Sequence, residues 1–185
     1  QAIEEGIWSM LSEPVWTIPA HNTYTRDAEQ LDTPLLSRPI LDLFQCETGE
    51  ILAITISMLG SRLSPAIVSN TEITLRNRIL EPYITDHFWW MGNDGPVNNW
   101  APWCTQNVLL SVLAIELSDK ERTAILRKAV STLDLYIDSY PDDGGCDEGG
   151  SYYHAAATAL WGCLHIIGES TGKDLSAVFH HPKIK

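Results

Sequence analysis

The chain has 185 residues, of which 44% are hydrophobic and 19% are charged, a composition typical of a folded globular protein. Its formal net charge of −12 argues against nucleic acid as a partner and disfavours a highly sulphated glycan, because both are polyanions. No apolar run approaches the roughly 20 residues that cross a bilayer, so no membrane partner is predicted. The chain begins at Gln1 without a signal peptide, so we expect a processed chain or a piece of a longer one, from either side of a membrane.

The first half of the chain carries the pattern of two helical stretches. Pro39 suits a first helical turn, and apolar residues follow it at helical spacing, namely Ile40, Phe44, Ile51, Ile54 and Met58. Ser64 and Pro65 resemble an N-cap and first-turn pair, which predicts a second helix running towards Tyr83. Pro82 is expected to bend or end that helix, because proline has no backbone N–H.

Two more helices follow in the middle of the chain. Pro102 is expected to open one that runs to about Leu117. Ser118 and Glu121 then match a capping box, in which each side chain bonds the other residue's backbone N–H at the start of a helix. The apolar stripe of that helix is Ile125, Ala129, Leu133, Ile137 and Tyr140.

A last helix is predicted from about Tyr152 to Ile167, with Gly168 near its end. Its apolar stripe is Ala156, Leu160, Leu164 and Ile167. No segment alternates apolar and polar residues as a half-buried strand does, so the predicted fold class is all-α. The connections at 60–64 and 117–119 are short, which favours antiparallel helical hairpins.

Two connections differ from the others in length and composition. Residues 87–101 read HFWWMGNDGPVNNWA and residues 141–151 read PDDGGCDEGGS, and both precede the start of a helix. In an array of hairpins, alternate loops fall at the same end of the molecule. We therefore expect these two loops to share a face and to form a candidate site.

The first of these loops combines tryptophans with amides. Trp89, Trp90, Trp100 and Trp103 lie within 15 residues. Indole rings stack on the apolar faces of pyranoses, and the side chains of Asn98 and Asn99 can donate and accept hydrogen bonds to sugar hydroxyls and carboxylates. This mixture favours sugar binding. The alternative is that the tryptophans pack the ends of helices and the asparagines serve turns and caps.

The second loop is rich in glycine and acidic residues. Its glycines, Gly144, Gly145, Gly149 and Gly150, permit positive φ and close approach of a ligand. Its acidic residues, Asp142, Asp143, Asp147 and Glu148, lack the spacing of a helix-loop-helix calcium site, so helix capping is favoured over metal binding. Tyr152 follows at the positive end of the helix dipole, which favours proton exchange by its phenol. The alternative is that Tyr152 is an amphipathic residue at the protein surface without a chemical role.

A smaller polar cluster and four cysteines complete the candidates. His21 and Asn22 follow a proline, and His21 is a possible base or an ordinary loop residue. The cysteines, Cys46, Cys104, Cys146 and Cys163, have no zinc-like spacing. Reduced and packed thiols are expected, with a bridge between Cys104 and Cys146 possible if their loops meet.

Four segments together resemble the heparinase II/III-like polysaccharide lyases. They are Trp16 with His21-Asn22; Asp42-Leu43-Phe44 with Glu47-Thr48-Gly49; Asn98-Asn99-Trp100 with Trp103; and Asp143-Gly144-Gly145-Cys146-Asp147-Glu148-Gly149 followed by Tyr152. They extend over about residues 16–170, and the last two are the more specific. The resemblance implies a single domain over residues 1–185, built as an incomplete α/α toroid of antiparallel helical hairpins with a glycan cleft at one end.

The resemblance also implies β-elimination on an acidic polysaccharide, with no cofactor and no metal. Asn99, or its neighbour Asn98, would neutralise the carboxylate of a uronic acid, which stabilises the charge that grows in the transition state. Tyr152 would act as the acid and, in some members, also as the base. The predicted substrate contacts are Asn98, Trp100, Trp103, Trp90, Glu148, His154, His21 and Asn22.

The chain departs from the family pattern in three respects. Tyr153 stands where family members often have Trp, and Gly150 stands where Pro is common. Complete members carry a β-sandwich after the helices, so the resemblance implies that this chain is the helical portion of a longer enzyme and binds glycan with or without cleaving it. Two alternatives stay open: a glycoside hydrolase with paired carboxylates such as Asp143 and Glu148, and a non-catalytic carbohydrate-binding domain.

Overall fold

A computed structural model describes residues 1–25, 29–146 and 149–184, with His154 described by its backbone alone. The described residues form helices and no strand, which confirms the all-α class. The helices are α1 (Ala2–Ser12), α2 (Leu43–Leu59), α3 (Pro65–Leu75), α4 (Glu81–Thr85), α5 (Trp100–Val112), α6 (Asp119–Ser139) and α7 (Gly150–Thr171). Helix α5 is central and packs chiefly against α2 and α7. None of the helices in the described ranges is long and apolar enough to span a membrane.

Helix α1 was not among the predicted helices. It buries Ile7 against the core and leaves Trp8 exposed to solvent. Its acidic first turn complements the helix dipole, and the Glu4 carboxylate also accepts a hydrogen bond of 2.7 Å from the backbone N–H of Ser64. That bond ties α1 to the start of α3.

Helix α2 begins later than predicted and buries a different face. Asp42 caps it by accepting the backbone N–H of Gln45 at 2.7 Å, so Pro39 and Ile40 lie before the helix. The apolar series read from the sequence faces outward, since Phe44, Ile51, Ile54 and Met58 are all exposed. The buried face is Cys46, Gly49, Leu52, Ala53 and Ile56.

Gly49 explains why α2 turns that face inward. A Cβ at this position would lie 2.9 Å from the Ile79 side chain and 2.9 Å from the Ser111 hydroxyl oxygen. Only a residue without a side chain lets α2 approach α5 this closely, and the apolar residues on either side of Gly49 are buried with it.

The predicted bend at Pro82 takes the form of a π-helical segment, Arg76–Leu80, between α3 and α4. Proline has no N–H to donate to the carbonyl of Arg78, and a wider turn accommodates the ring. The side-chain amide of Gln45 donates to that carbonyl instead, at 3.3 Å, while its oxygen accepts the backbone N–H of Trp16 at 3.1 Å. The buried Gln45 therefore satisfies groups from two other segments.

The predictions for α6 and α7 are confirmed in their main features. The Ser118 N–H donates to the Glu121 carboxylate at 2.8 Å, and the Glu121 N–H donates to the Ser118 hydroxyl at 3.3 Å, which is the expected capping box. The predicted stripe of α7 is buried, as are Ile125, Ala129 and Leu133 of α6. Helix α7 is longer than predicted: Gly168 lies inside it, and Gly172, with φ +64°, ends it.

Candidate functional site

A histidine and a buried carboxylate form the chemically most suggestive pair of the described residues. His21 lies at the end of a short 3₁₀ turn, Pro19–His21, and its Nδ1 is 2.9 Å from Oδ2 of Asp42. The carboxylate is almost wholly buried, whereas 22% of the His21 side chain is exposed. A carboxylate can only accept hydrogen bonds, so the pair places the proton on Nδ1 and leaves Nε2 as the basic nitrogen.

The environment of Asp42 keeps this pair rigid. Its Oδ1 caps α2 through the Gln45 N–H at 2.7 Å, and Oδ2 also receives the Ile18 N–H at 3.4 Å. Burial raises the pKa of Asp42 above its ordinary value, and the Gln45 N–H and the His21 ring oppose that rise. The cap determines the position of the carboxylate, and the carboxylate in turn orients the imidazole.

An aromatic cluster joins this pair to the tryptophan-amide loop. The His21 and Trp100 rings meet edge to face with centroids 4.6 Å apart, and Trp89 lies 4.8 Å from Trp100 on the same centroid measure. Phe44 is 5.9 Å from His21, and it is 44% exposed at the surface beside the pair. Residues that are distant in sequence therefore form one surface with aromatic rings around a titratable nitrogen.

The two asparagines at the start of α5 have different surroundings. Asn98 is half-buried, and its Oδ1 accepts the backbone N–H of Trp100 at 3.1 Å, which leaves the Nδ2 group as the end of the amide suited to donate to a carboxylate. Asn99 is only 5% exposed, and it precedes the first residue of α5. Of the two amides, Asn98 is the more accessible to a ligand.

The two loops predicted to share a face do meet. Val97, Asn98 and Asn99 from the first loop line one small cavity of about 30 Å³ together with Pro141 and Cys146 from the second. The remaining wall comes from α6 and the residue that follows it, through Tyr136, Ser139 and Tyr140.

Gly92 holds the first loop against α6. Its φ is +82° with ψ −166°, a region that is essentially restricted to glycine. A Cβ there would lie 2.8 Å from a methyl carbon of Leu135 and 2.9 Å from one of Val97. The loop can therefore lie flat on α6 and bring Asn98 to the cavity only because residue 92 has no side chain.

Two predicted ligand contacts belong to the core instead. Trp90 is fully buried, stacks with Phe88 at 6.2 Å between centroids, and donates its indole N–H to the Leu41 carbonyl at 2.7 Å. Asn22 is also fully buried, and its Nδ2 donates to the Leu31 carbonyl at 2.6 Å. Both residues therefore support the surface from below and do not reach a ligand.

The other predicted residues lie on the second loop and the neighbouring helices. Trp103 is half-buried in the first turn of α5. Tyr152 is 46% exposed in the first turn of α7, after an N-cap glycine, Gly149, with φ +82°. Glu148 and the side chain of His154 lie outside the described residues, so their predicted contacts stay predictions.

The second loop shows a turn at its acidic end. The Asp143 carboxylate accepts the Gly145 N–H at 2.9 Å, and Gly144 has a φ of +71°, one of the positive values that the loop glycines were expected to permit. Within the described ranges, no group of three or more histidine, cysteine, aspartate or glutamate side chains is arranged to hold a metal ion.

The four cysteines are free thiols. The possible bridge between Cys104 and Cys146 is therefore not formed. Cys46, Cys104 and Cys163 are buried, and Cys146 is half-buried. Burial raises the pKa of the Cys104 and Cys163 thiols well above the ordinary value. These thiols pack the contacts of α5 and have little nucleophilic character.

No chemical role was predicted for Asp42 from the sequence, although Asp42 begins one of the four segments that resemble the lyase family. An aspartate directly before an apolar helical run is a capping signal, and that signal was available. Its pairing with a histidine 21 residues earlier was not, because no local pattern connects them. No protein-family model matches the chain, and no curated protein matches it.

Proposed function

We propose that this chain is the helical part of a lyase that cleaves uronic-acid-containing glycans by β-elimination, with its helices arranged as an incomplete α/α toroid. The observation that carries the proposal is the contact of His21 with Trp100. It joins a histidine oriented by Asp42 to a surface of indole rings and amides, which is the combination that a uronic acid requires: a stacking ring, amide donors and a base.

The proposed reaction uses the residues of this surface in three roles. The amide of Asn98, or of Asn99, donates to the substrate carboxylate and stabilises the charge that develops on it. Nε2 of His21 removes the C5 proton, a double bond forms between C4 and C5, and the C4–O4 bond breaks. The phenol of Tyr152 donates its proton to the departing O4. The role of Tyr152 rests on the family resemblance, and its exposure in the first turn of α7 is compatible with it.

Elimination and hydrolysis leave different products, and one assay separates them. The unsaturated uronate made by elimination absorbs in the ultraviolet, whereas hydrolysis yields new reducing ends without that absorbance. We expect absorbance to grow with unsulphated, uronate-rich polymers such as alginate. New reducing ends without absorbance would support a hydrolase, and binding without either product would support a carbohydrate-binding domain.

Substitutions test the individual roles. We expect Asn98→Ala to lower turnover on the order of 100-fold, because one donor to the developing charge is lost. Asn70→Ala, at an exposed amide of α3, is the matched control and should not change turnover. A larger loss in Asn99→Ala than in Asn98→Ala would move the role to the buried amide.

The acid needs a separate test. Tyr152→Phe keeps the ring and removes the proton, so turnover should fall while glycan affinity is retained. Trp8→Phe, at an exposed aromatic of α1, is the control. Full activity in Tyr152→Phe would contradict the assignment of Tyr152.

A further inference from the structure

A second and larger cavity lies beside the Asn98–Asn99 cavity, between α6, α7 and the segment that follows α7. Its volume is about 220 Å³, and its walls combine aliphatic side chains with the aromatic rings of Tyr136, Tyr140, Tyr153, Trp161 and Phe179, with Lys183 among the lining residues. Tyr136 and Tyr140 line both cavities. The two spaces are therefore neighbours that share walls.

The size of this cavity limits what it can accept. It holds about seven waters at the volume of liquid water, which suits one ring-sized ligand and is too small for a helix or a folded partner. Ala156 and Ala157 contribute short side chains to its lining, on α7. The lining side chains that carry polar atoms are those of three tyrosines, Trp161 and Lys183, and the rest of the lining is apolar.

The aromatic walls are pre-arranged and still partly open. The Trp161 indole stacks in parallel on the His165 ring, with 5.3 Å between centroids and 3° between planes, which holds its orientation. Even so, 54% of Trp161 and 47% of Tyr153 are exposed. Exposed ring faces beside phenol hydroxyls suit a pyranose, which has apolar C–H faces and a polar edge.

Lys183 adds a fixed positive charge in a chain with a net charge of −12. Its ammonium donates to the Asp138 carbonyl at 2.6 Å and lies 3.9 Å from the Asp142 carboxylate, and only 19% of its side chain is exposed. An ammonium has three donors, and these contacts hold the side chain in place. The Asp142 side chain is 97% exposed, so it can move aside for an incoming carboxylate.

We propose that this aromatic cavity is a second sugar-binding subsite, which accepts one pyranose uronate of an acidic chain whose other units lie on the surface formed by Asn98, Trp100 and His21. This inference rests on the proposed function. The ring of the sugar lies against Trp161 and Tyr153, and its carboxylate pairs with Lys183. The Asn98–Asn99 cavity, at about 30 Å³, holds one water and no sugar unit, so at least one unit bridges the aromatic cavity and the His21–Trp100 surface. A disaccharide therefore reaches one of these two places and a tetrasaccharide reaches both, which makes binding depend on chain length.

The test measures the dissociation constants of alginate di- and tetrasaccharides by titration calorimetry, with the 185-residue chain. The unchanged protein should bind the tetrasaccharide at least tenfold more tightly than the disaccharide. Trp161→Ala should weaken tetrasaccharide binding by about tenfold and reduce the advantage of the tetrasaccharide over the disaccharide. Trp8→Ala is the matched control, because Trp8 is 55% exposed and Trp161 is 54% exposed.

Lys183→Met supplies a second variant that keeps the apolar stem and removes the charge. This variant should bind the tetrasaccharide more weakly, and its affinity should depend less on salt concentration. Equal affinities for both lengths in the unchanged protein, or an unchanged length dependence in both variants, would overturn the subsite and leave the proposed function standing. An equal loss for both lengths would also overturn it. Failure of the unchanged protein to bind either oligosaccharide would overturn the proposed function as well.

Discussion

Replacing Asp42 by Asn separates the structural role of this residue from its chemical one. In the native protein one carboxylate oxygen caps α2 through the Gln45 N–H, and the other accepts the proton of His21 Nδ1. Asparagine keeps an oxygen for the cap, but it presents an NH₂ group to the histidine. Because NH₂ donates, Nδ1 must then accept, and the imidazole proton moves to Nε2.

The contacts indicate the size of each effect. Asp and Asn are about equally good N-caps, and only the long bond from the Ile18 N–H at 3.4 Å loses its acceptor, so Asp42→Asn should lower the free energy of unfolding by no more than about 1 kcal/mol. Asp42→Ala removes the cap, worth about 1 kcal/mol, and leaves the N–H groups of His21 and Ile18 without their acceptor, which adds about 1 kcal/mol. The Ala variant should therefore lose about 2 kcal/mol. Turnover should fall by at least about 100-fold in both variants, because the base is misprotonated or misoriented.

Three measurements decide the matter. Denaturant unfolding gives the two stability changes, ¹⁵N NMR of the imidazole gives the protonated ring nitrogen, and the absorbance assay gives turnover. An Asp42→Asn protein that is as stable as the native one, has its proton on Nε2 and eliminates at the native rate would refute the role of His21 as base. A proton that stays on Nδ1 in that variant would refute the reasoning about the pair itself.

Three further predictions concern the scaffold. Gly92→Ala should destabilise the fold by about 2–4 kcal/mol in a denaturant titration, because the backbone region excludes side chains and a Cβ would collide with Leu135; a loss below about 0.5 kcal/mol would contradict this. The hydrogen bonds with Ser118 lower the pKa of Glu121 to about 2 from 4.5. The native protein should therefore be more stable than Glu121→Gln above pH 4.5, and this difference should vanish as pH falls towards 2; a difference independent of pH would contradict the prediction. In the native state a thiol reagent should label Cys146 quickly and the three buried cysteines only after denaturation, so that Cys146→Ser abolishes the rapid phase.

Local signals were sufficient to predict most of the helices. The Ser118 and Glu121 capping box and the apolar stripe of α7 involve residues within one or two helical turns of each other, so their interactions are already specified by spacing along the chain. The clustering of two unusual loops was also predictable, because short hairpin connections place alternate loops at one end of the molecule. Asn98 and Cys146 line a single cavity as a result.

Tertiary packing decided which residues of those segments reach the surface. Trp90 and Trp100 belong to the same loop, yet Trp90 donates to the Leu41 carbonyl in the core, while Trp100 contacts His21 near the surface. Hydrophobicity does not distinguish the two indoles, since both favour burial. Their positions depend on segments that are distant in sequence, which no spacing rule describes.

Helix α2 and the His21 pair show the same division. Both faces of α2 carry apolar residues, so the sequence predicted a helix here but could not predict which side of it is buried. That side was decided by the close approach at Gly49, where Ile79 and Ser111 leave no room for a Cβ. Likewise, the sequence by itself marked His21 as titratable, and only the fold placed it 2.9 Å from Asp42. Hydrogen bonds and steric exclusion act over a few ångströms in space, so contacts between distant segments exist only once the chain has packed.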